Sequence, residues 1–207
     1  RQFTTTDIDR SVVIPSQIET VVQAYKDSIY ESLYPDRKKD WTMIPKTLFF
    51  AKTESHAEDI LKAIKKVFKN EFPNGEIPEH YARLITCKSG NSNQLISDFR
   101  NNKDFRIAIT VTLVATGTDI RPLEILVFMR DIHSEVLYTQ MKGRGCRTLA
   151  DDKLRNVTTN AASKDFYYLV DAVGVTEHEK SMPTPGGSGD IKKVLPLKDL
   201  LEHLAHG

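Results

Sequence analysis

Apolar residues along the chain fall into two kinds of stretch. Short continuous runs occupy positions 47–51 (TLFFA), 81–87, 106–113 (RIAITVTL), 124–129 and 166–170 (FYYLV). Side chains that are apolar at consecutive positions, rather than alternating, mark strands covered on both faces, as in a parallel sheet. Between these runs apolar residues recur every three or four positions. Ile18, Val21, Val22, Tyr25 and Ile29 predict a helix from about 16 to 33 that stops before Pro35, and Ala57, Ile60, Leu61, Ile64 and Phe68 predict a second. Further helices are expected over 94–101, from about 134 through Arg147, and over 195–204. Buried strands alternating with amphipathic helices predict an α/β protein with a mainly parallel central sheet.

Local chemistry punctuates this pattern. Ser16 with Glu19, and Ser55 with Glu58, have the spacing of capping boxes and are expected to open the first two helices. Residues 35–45, PDRKKDWTMIP, form a charged loop whose basic cluster either touches a phosphate backbone or is a solvated turn. Residues 70–80 and the Pro/Gly/Ser-rich stretch 181–190, SMPTPGGSGD, read as loops. The GGSG within the latter is no phosphate cradle, because it follows no strand and lacks the closing Lys and hydroxyl residue. These boundaries divide the chain into a helical lead-in (1–45), a core domain (46–175), and a flexible loop with a short final helix (176–207).

Composition narrows the classes. A chain of 207 residues can bury a full core. Charged residues are 28% of the chain yet balance to +1, so any nucleic-acid contact must be a local patch rather than a global basic field. Cys87 and Cys146 have no metal-ligand spacing and suggest a reducing compartment. No apolar run approaches the ~20 residues of a membrane span, and no signal peptide is recognisable. The chain opens at Arg1 without a methionine and is expected to be a piece of a longer protein.

The candidate chemistry concentrates between 106 and 147. An apolar strand leads into Thr116-Gly117-Thr118-Asp119, a second strand follows, and then a helix-like segment carries Gln140, Arg144 and Arg147. Gly117 lets a backbone N–H approach a phosphate without a Cβ in the way, and Thr116 adds a hydroxyl. Arg144 and Arg147, at i and i+3, are expected to share a helix face and point together at phosphate oxygens, which a planar guanidinium meets two at a time. Two arginines alone also describe a solvated face; Gln140, the glycines and the upstream TGTD favour the phosphate reading. Lys52 and Thr53 follow the first strand, either to contact nucleic acid or to cap the next helix. Lys88 and Ser89 follow the second strand, where ligands of open α/β sheets gather, and suit phosphate or sugar contact.

QMKGRGCR (140–147) resembles the QxxGRxxR motif of superfamily 2 helicases and translocases, VATGTD resembles their motif V, and PKTLFFAKTESHAEDI their motif IV. The resemblance implies a RecA-like three-layer α/β/α fold, arginine fingers at Arg144 and Arg147, and an Asp119 that orients a finger or a nucleotide hydroxyl. Gly117, Asp119, Gln140, Arg144 and Arg147 would then face the nucleotide, and Lys52, Thr53, Lys88, Ser89, Thr116 and Gly117 the nucleic acid. The chain has neither a GxxxxGK(S/T) loop nor a DExH-type acidic pair, which such motors carry on their first RecA-like domain. It therefore resembles the second RecA-like domain alone.

Those three stretches together, with FYYLVDAVGVTE and the SQIET helix, resemble more narrowly the motor (R) subunit of type I restriction enzymes. The family departs from this chain at Thr112, where an acidic residue is common. Membership implies an ATP-dependent double-stranded DNA translocase fused to an endonuclease, in the bacterial or archaeal cytoplasm. ATP and Mg2+ would be bound mainly by the first RecA-like domain of the same chain, and the modification and specificity subunits would be partners. Two other readings remain: another superfamily 2 repair or RNA helicase, and an inert RecA-like binding module. The intact Gln140, Arg144 and Arg147 argue against the last.

Overall fold

A computed structural model describes residues 14–86, 90–111, 120–132, 135–145, 147–174 and 192–196. The first helix, α1 (Pro15–Ser28), begins one residue before the expected capping Ser16 and continues as a π-helical turn over Ile29–Leu33. Proline at the first helical position lacks the N–H that would go unsatisfied there, so Ile14 precedes the helix with no side-chain cap. Glu19, expected to reach back to the helix start, instead pairs across to Lys66, 2.7 Å away. A single 3-10 turn at Trp41–Met43 leads into β1 (Lys46–Phe50), and α2 (Glu54–Phe68) follows.

The rest alternates as the apolar runs require. β2 (Ala82–Leu84), α3 (Ser92–Asn101), β3 (Ile107–Thr110), β4 (Leu123–Phe128) and α4 (Glu135–Lys142) are followed by α5 (Asp151–Val157), β5 (Tyr167–Asp171) and β6 (Lys192–Pro196). Six parallel strands form one sheet in the order β2-β3-β1-β4-β5-β6. α5 was not anticipated from the sequence. β6 falls where the final helix was expected to begin, and its residues pair with β5 from Tyr167↔Lys192 to Asp171↔Pro196.

Successive side chains of a strand enter opposite layers. Phe49, Ile109, Val127 and Val170 pack with Ile18, Val22 and Tyr25 of α1 and Ile60, Ile64 and Phe68 of α2. Leu48, Phe50, Leu126, Phe128 and Leu169 pack with Ile96 and Phe99 of α3 and Tyr138 and Met141 of α4. The architecture is thus three-layered and RecA-like, and both faces of the sheet are covered.

The amino-terminal ends of the strands hold buried charge. Arg106, fully enclosed, donates to the carbonyls of Ile44, Lys103 (2.9 Å) and Val157 (2.5 Å) and to the Thr158 hydroxyl (2.9 Å). Lys46 Nζ donates to Asn102 O (2.8 Å) and Phe105 O (2.6 Å) and lies over the Phe99 ring. Burial, reinforced by the neighbouring Arg106, pulls the Lys46 ammonium well below the usual lysine value. Here carbonyl oxygens do the work of counter-ions, which is how a buried cation is tolerated.

Candidate functional site

Because all strands run one way, their carboxyl ends share one rim of the sheet and their amino ends the other. Lys52 and Thr53 leave β1 at the carboxyl rim. Thr53 is the N-cap of α2: its hydroxyl oxygen accepts from His56 N (3.2 Å), while Lys52 N–H donates to His56 Nδ1 (3.1 Å). The cap is therefore Thr53 and not Ser55, which lies inside the first turn. The Lys52 side chain is exposed. The other expected residues of this rim, Lys88, Ser89, Thr116, Gly117 and Asp119, lie outside the described residues.

Gln140 sits on the exposed side of α4, opposite Tyr138 and Met141, which face the core. The expectation that Arg144 and Arg147 share a face of this helix is corrected, because α4 ends at Lys142. A tight turn follows, with Gly143 N–H donating to Thr139 O (2.9 Å), Arg144 N–H to Met141 O (3.2 Å) and Gly145 N–H to Lys142 O (2.9 Å). Gly145 lies flat against the Tyr167 ring, where a Cβ would come within 2.5 Å of Cδ2. That contact, made by the first residue of β5, forces the chain out of helix before either arginine can continue it. Arg144 is half-buried and Arg147 exposed.

The Arg147 segment is fixed from below. Buried Lys164 donates to Arg147 O (2.8 Å) and to Arg121 O (2.6 Å), the latter just before β4. Gly145 against Tyr167 and Arg147 beside Arg121 place this segment toward the amino ends of β4 and β5. Arg144 and Arg147 therefore lie toward the rim of the sheet opposite Lys52 and Thr53, which leave β1 at its carboxyl end.

Sequence reasoning missed the neighbours of this segment. Arg100, Arg121 and Lys153 line a groove of about 470 Å³ with Asn101, Asn156 and Leu149. These cations come from α3, the turn before β4 and α5, so no local spacing signals them. Among the described residues no cluster of His, Cys, Asp or Glu stands ready for a metal ion, and no helix is long and apolar enough to cross a membrane.

No family model matches the chain. Over 152 residues it is 29% identical to the endonuclease subunit of the type I restriction enzyme EcoKI from Escherichia coli, an alignment covering 71% of this chain and 12% of that protein. The chain thus spans a small fraction of its relative. A fragment structure of an HsdR subunit of a type I restriction enzyme from Vibrio vulnificus superposes with a TM-score of 0.59 at 20% identity, covering 92% of this chain and 34% of that one. The C-terminal domain of Dbp5 from S. cerevisiae superposes with a TM-score of 0.46 at 15% identity, over 93% of this chain and 90% of that one.

Proposed function

We infer that this chain, a relative of the endonuclease subunits of type I restriction enzymes, is the second RecA-like domain of their ATP-dependent double-stranded DNA translocase. The observation that carries the reading is the tight turn of residues 143–145 after α4, with Gly145 against Tyr167 and the Arg147 carbonyl held by Lys164. Preorganised cations of this kind stabilise a γ-phosphoryl group as water attacks phosphorus and the bond to the bridging oxygen breaks, because charge then spreads over the phosphoryl oxygens.

The donor set fits the phosphate end of ATP and not its metal. Mg2+ would be held by the first RecA-like domain of the same chain, where it would neutralise charge on the phosphates. Arg144 and Arg147 would reach the γ-phosphate when the two domains close, with Asp119 orienting a finger and Gly117 admitting a phosphate. The carboxyl rim, with Lys52, Thr53, Lys88, Ser89, Thr116 and Gly117, would grip DNA through its phosphates. Such contacts ignore base sequence, as a motor on arbitrary DNA requires. In this reading residues 46–175 form the body of the motor domain, endonuclease activity lies elsewhere in the parent, and modification and specificity subunits supply site recognition in the cytoplasm.

The test is Arg144→Ala in the full-length parent. ATP turnover stimulated by double-stranded DNA should fall by ~10³-fold or more, while DNA binding stays within a few-fold. Equal loss of both would rule out a finger role. Strand displacement by the parent without net translocation would favour a helicase of another kind.

A further inference from the structure

Three segments meet at the amino rim of the sheet: the residues that close α3, the residues before β4, and α5. Each is pinned through its backbone by a buried cation. Arg106 donates to Lys103 O (2.9 Å) and Val157 O (2.5 Å), Lys46 Nζ to Asn102 O (2.8 Å), and Lys164 Nζ to Arg121 O (2.6 Å). Arg106 thus ties the end of α3 to the end of α5, and the groove that these segments line has preorganised walls.

The groove, about 470 Å³, is lined by Arg100 of α3, Arg121 before β4 and Lys153 of α5, together with Asn101 and Asn156. Arg121, Lys153 and both asparagines are exposed and Arg100 is half-buried, so the lining is open to a ligand from solvent. Lys153, Asn156 and Val157, three and four positions apart, share one face of α5, and that face is the groove wall. Asp151 falls on the opposite side of the helix, and Asp152, four positions before Asn156, stands at the edge of the face. Leu149 also lines the groove, two positions beyond Arg147, which makes the nucleotide the competing ligand.

The chain as a whole carries only +1, so this gathering of charge is local. Arg100 suits the negative carboxyl end of α3, but Lys153 stands in the first turn of α5, where the helix dipole opposes a cation. Solvated cations hold a single small anion weakly, because each exposed ion pair is worth only ~0–1 kcal/mol and salt screens it. A nucleic-acid backbone gains more from the same side chains, since every phosphate they neutralise releases condensed counterions. An acidic peptide of ordinary charge density has no such atmosphere to release. Arginine, lysine and asparagine side chains are also common donors to phosphodiester oxygens.

We propose that the Arg100–Arg121–Lys153 groove binds the phosphodiester backbone of a nucleic acid, whatever its base sequence, with Asn101 and Asn156 donating beside the three cations. The site does not rest on the motor reading and is not the rim assigned there to DNA. β1, β3 and β4 have five, four and six residues, and at ~3.3 Å per residue they set the two rims roughly 13–20 Å apart. A duplex lying on the carboxyl rim therefore leaves the groove open to a second segment.

The readout is acetylation of Lys153 by an amine-reactive ester, followed by mass spectrometry in the full-length parent as a duplex of arbitrary sequence is titrated in. Labelling should fall severalfold at saturation. The duplex concentration for half-protection should rise with salt, and Arg100→Gln should flatten that log–log dependence by ~0.9, the share of one phosphate contact. Asn156→Asp, which sets a carboxylate at an exposed position of the groove, should raise the half-protection concentration severalfold with an unchanged thermal midpoint. Inorganic phosphate at matched ionic strength, or an ATP analogue alone, should leave Lys153 labelling as it was. Lys153 labelled equally with and without duplex, or half-protection unmoved by both variants, overturns the proposal. Protection by phosphate or by the analogue that matches the duplex assigns the groove to a free anion or to the nucleotide and overturns it as well. If Arg100→Gln fails to fold, Asn156→Asp decides alone.

Discussion

Gly145→Ala tests whether the arginine-bearing turn is set by its contact with β5. The added Cβ would lie 2.5, 2.6 and 2.9 Å from Cδ2, Cγ and Cε2 of Tyr167. Carbon atoms pack at about 3.5–4.0 Å, so turn and ring must part by about 1 Å. Tyr167 is 3% exposed and anchors a strand held between β4 and β6, so the turn is the side that yields. Overpacking of this kind costs ~1–3 kcal/mol, and a chain of this size loses ~2–4 °C of thermal midpoint per kcal/mol. The expected loss is therefore roughly 2–12 °C by calorimetry. If Arg144 and Arg147 are the fingers proposed above, misplacing them by about 1 Å should lower ATP turnover of the parent by ~10²-fold. Gly143→Ala is the internal control, since its Cβ would meet only Thr139 O at 3.3 Å and Gln140 O at 3.5 Å, a contact relieved by a few tenths of an ångström. A Gly145→Ala protein that matches Gly143→Ala in both midpoint and turnover would refute the argument.

Arg106→Met should destabilise the fold by ~3–5 kcal/mol in urea titration, because three carbonyls and the Thr158 hydroxyl lose their donor together; a loss under about 1 kcal/mol would mean that water replaces it. Thr53→Val removes the cap of α2 and should cost ~1 kcal/mol, with faster hydrogen exchange confined to the first turn of that helix; unchanged exchange there would count against a capping role. Alkali should unfold the protein cooperatively. Burial raises the phenols of Tyr25, Tyr34 and Tyr81 above their ordinary value of 10, so the stability they contribute is complete below pH 10 and is lost as pH climbs toward their folded-state values. Lys46 and Arg106 act with the opposite sign, because burial lowers both and the unfolded chain binds their protons more firmly. The tyrosines outnumber them, so tyrosinate absorbance should rise together with loss of the fold; titration of all the tyrosines near pH 10 with the fold intact would contradict this.

The strands were legible because burial on both faces leaves consecutive apolar residues, as in Leu48–Phe50 of β1 and Ile125–Phe128 of β4. The helix faces were legible for the same reason, through Ile60, Ile64 and Phe68. Terminal chemistry was read less well. Ser16 and Thr53 both stand near a helix start, and only the backbone decides which oxygen meets an N–H. The end of α4 was misjudged because the i, i+3 spacing of Arg144 and Arg147 fits a helix, whereas the glycine between them answers to Tyr167, 22 positions away. β6 has two lysines in five residues, as suits an edge strand, and so shows no apolar run. Contacts between remote positions left no trace at all. Arg37 with Glu124, and Arg100 with Arg121 and Lys153, are ordinary charges until the topology brings them together.

β1 is flanked by β3 on one side and β4 on the other, with Leu48 opposite both Ala108 and Leu126. The strand nearest the middle of the sheet is thus the first made, while its two partners lie some sixty and eighty residues later in the chain. During synthesis, at ~5–20 residues per second, β1 waits roughly 4–15 s before Phe128 exists. In that interval KTLFF is an unpaired apolar strand whose only early shelter is α1 and α2, which pack on one of its faces. Long-range parallel pairing is slow for this reason, and the nascent chain should be most prone to aggregation, and most dependent on a holding chaperone, between completion of α2 and completion of β4.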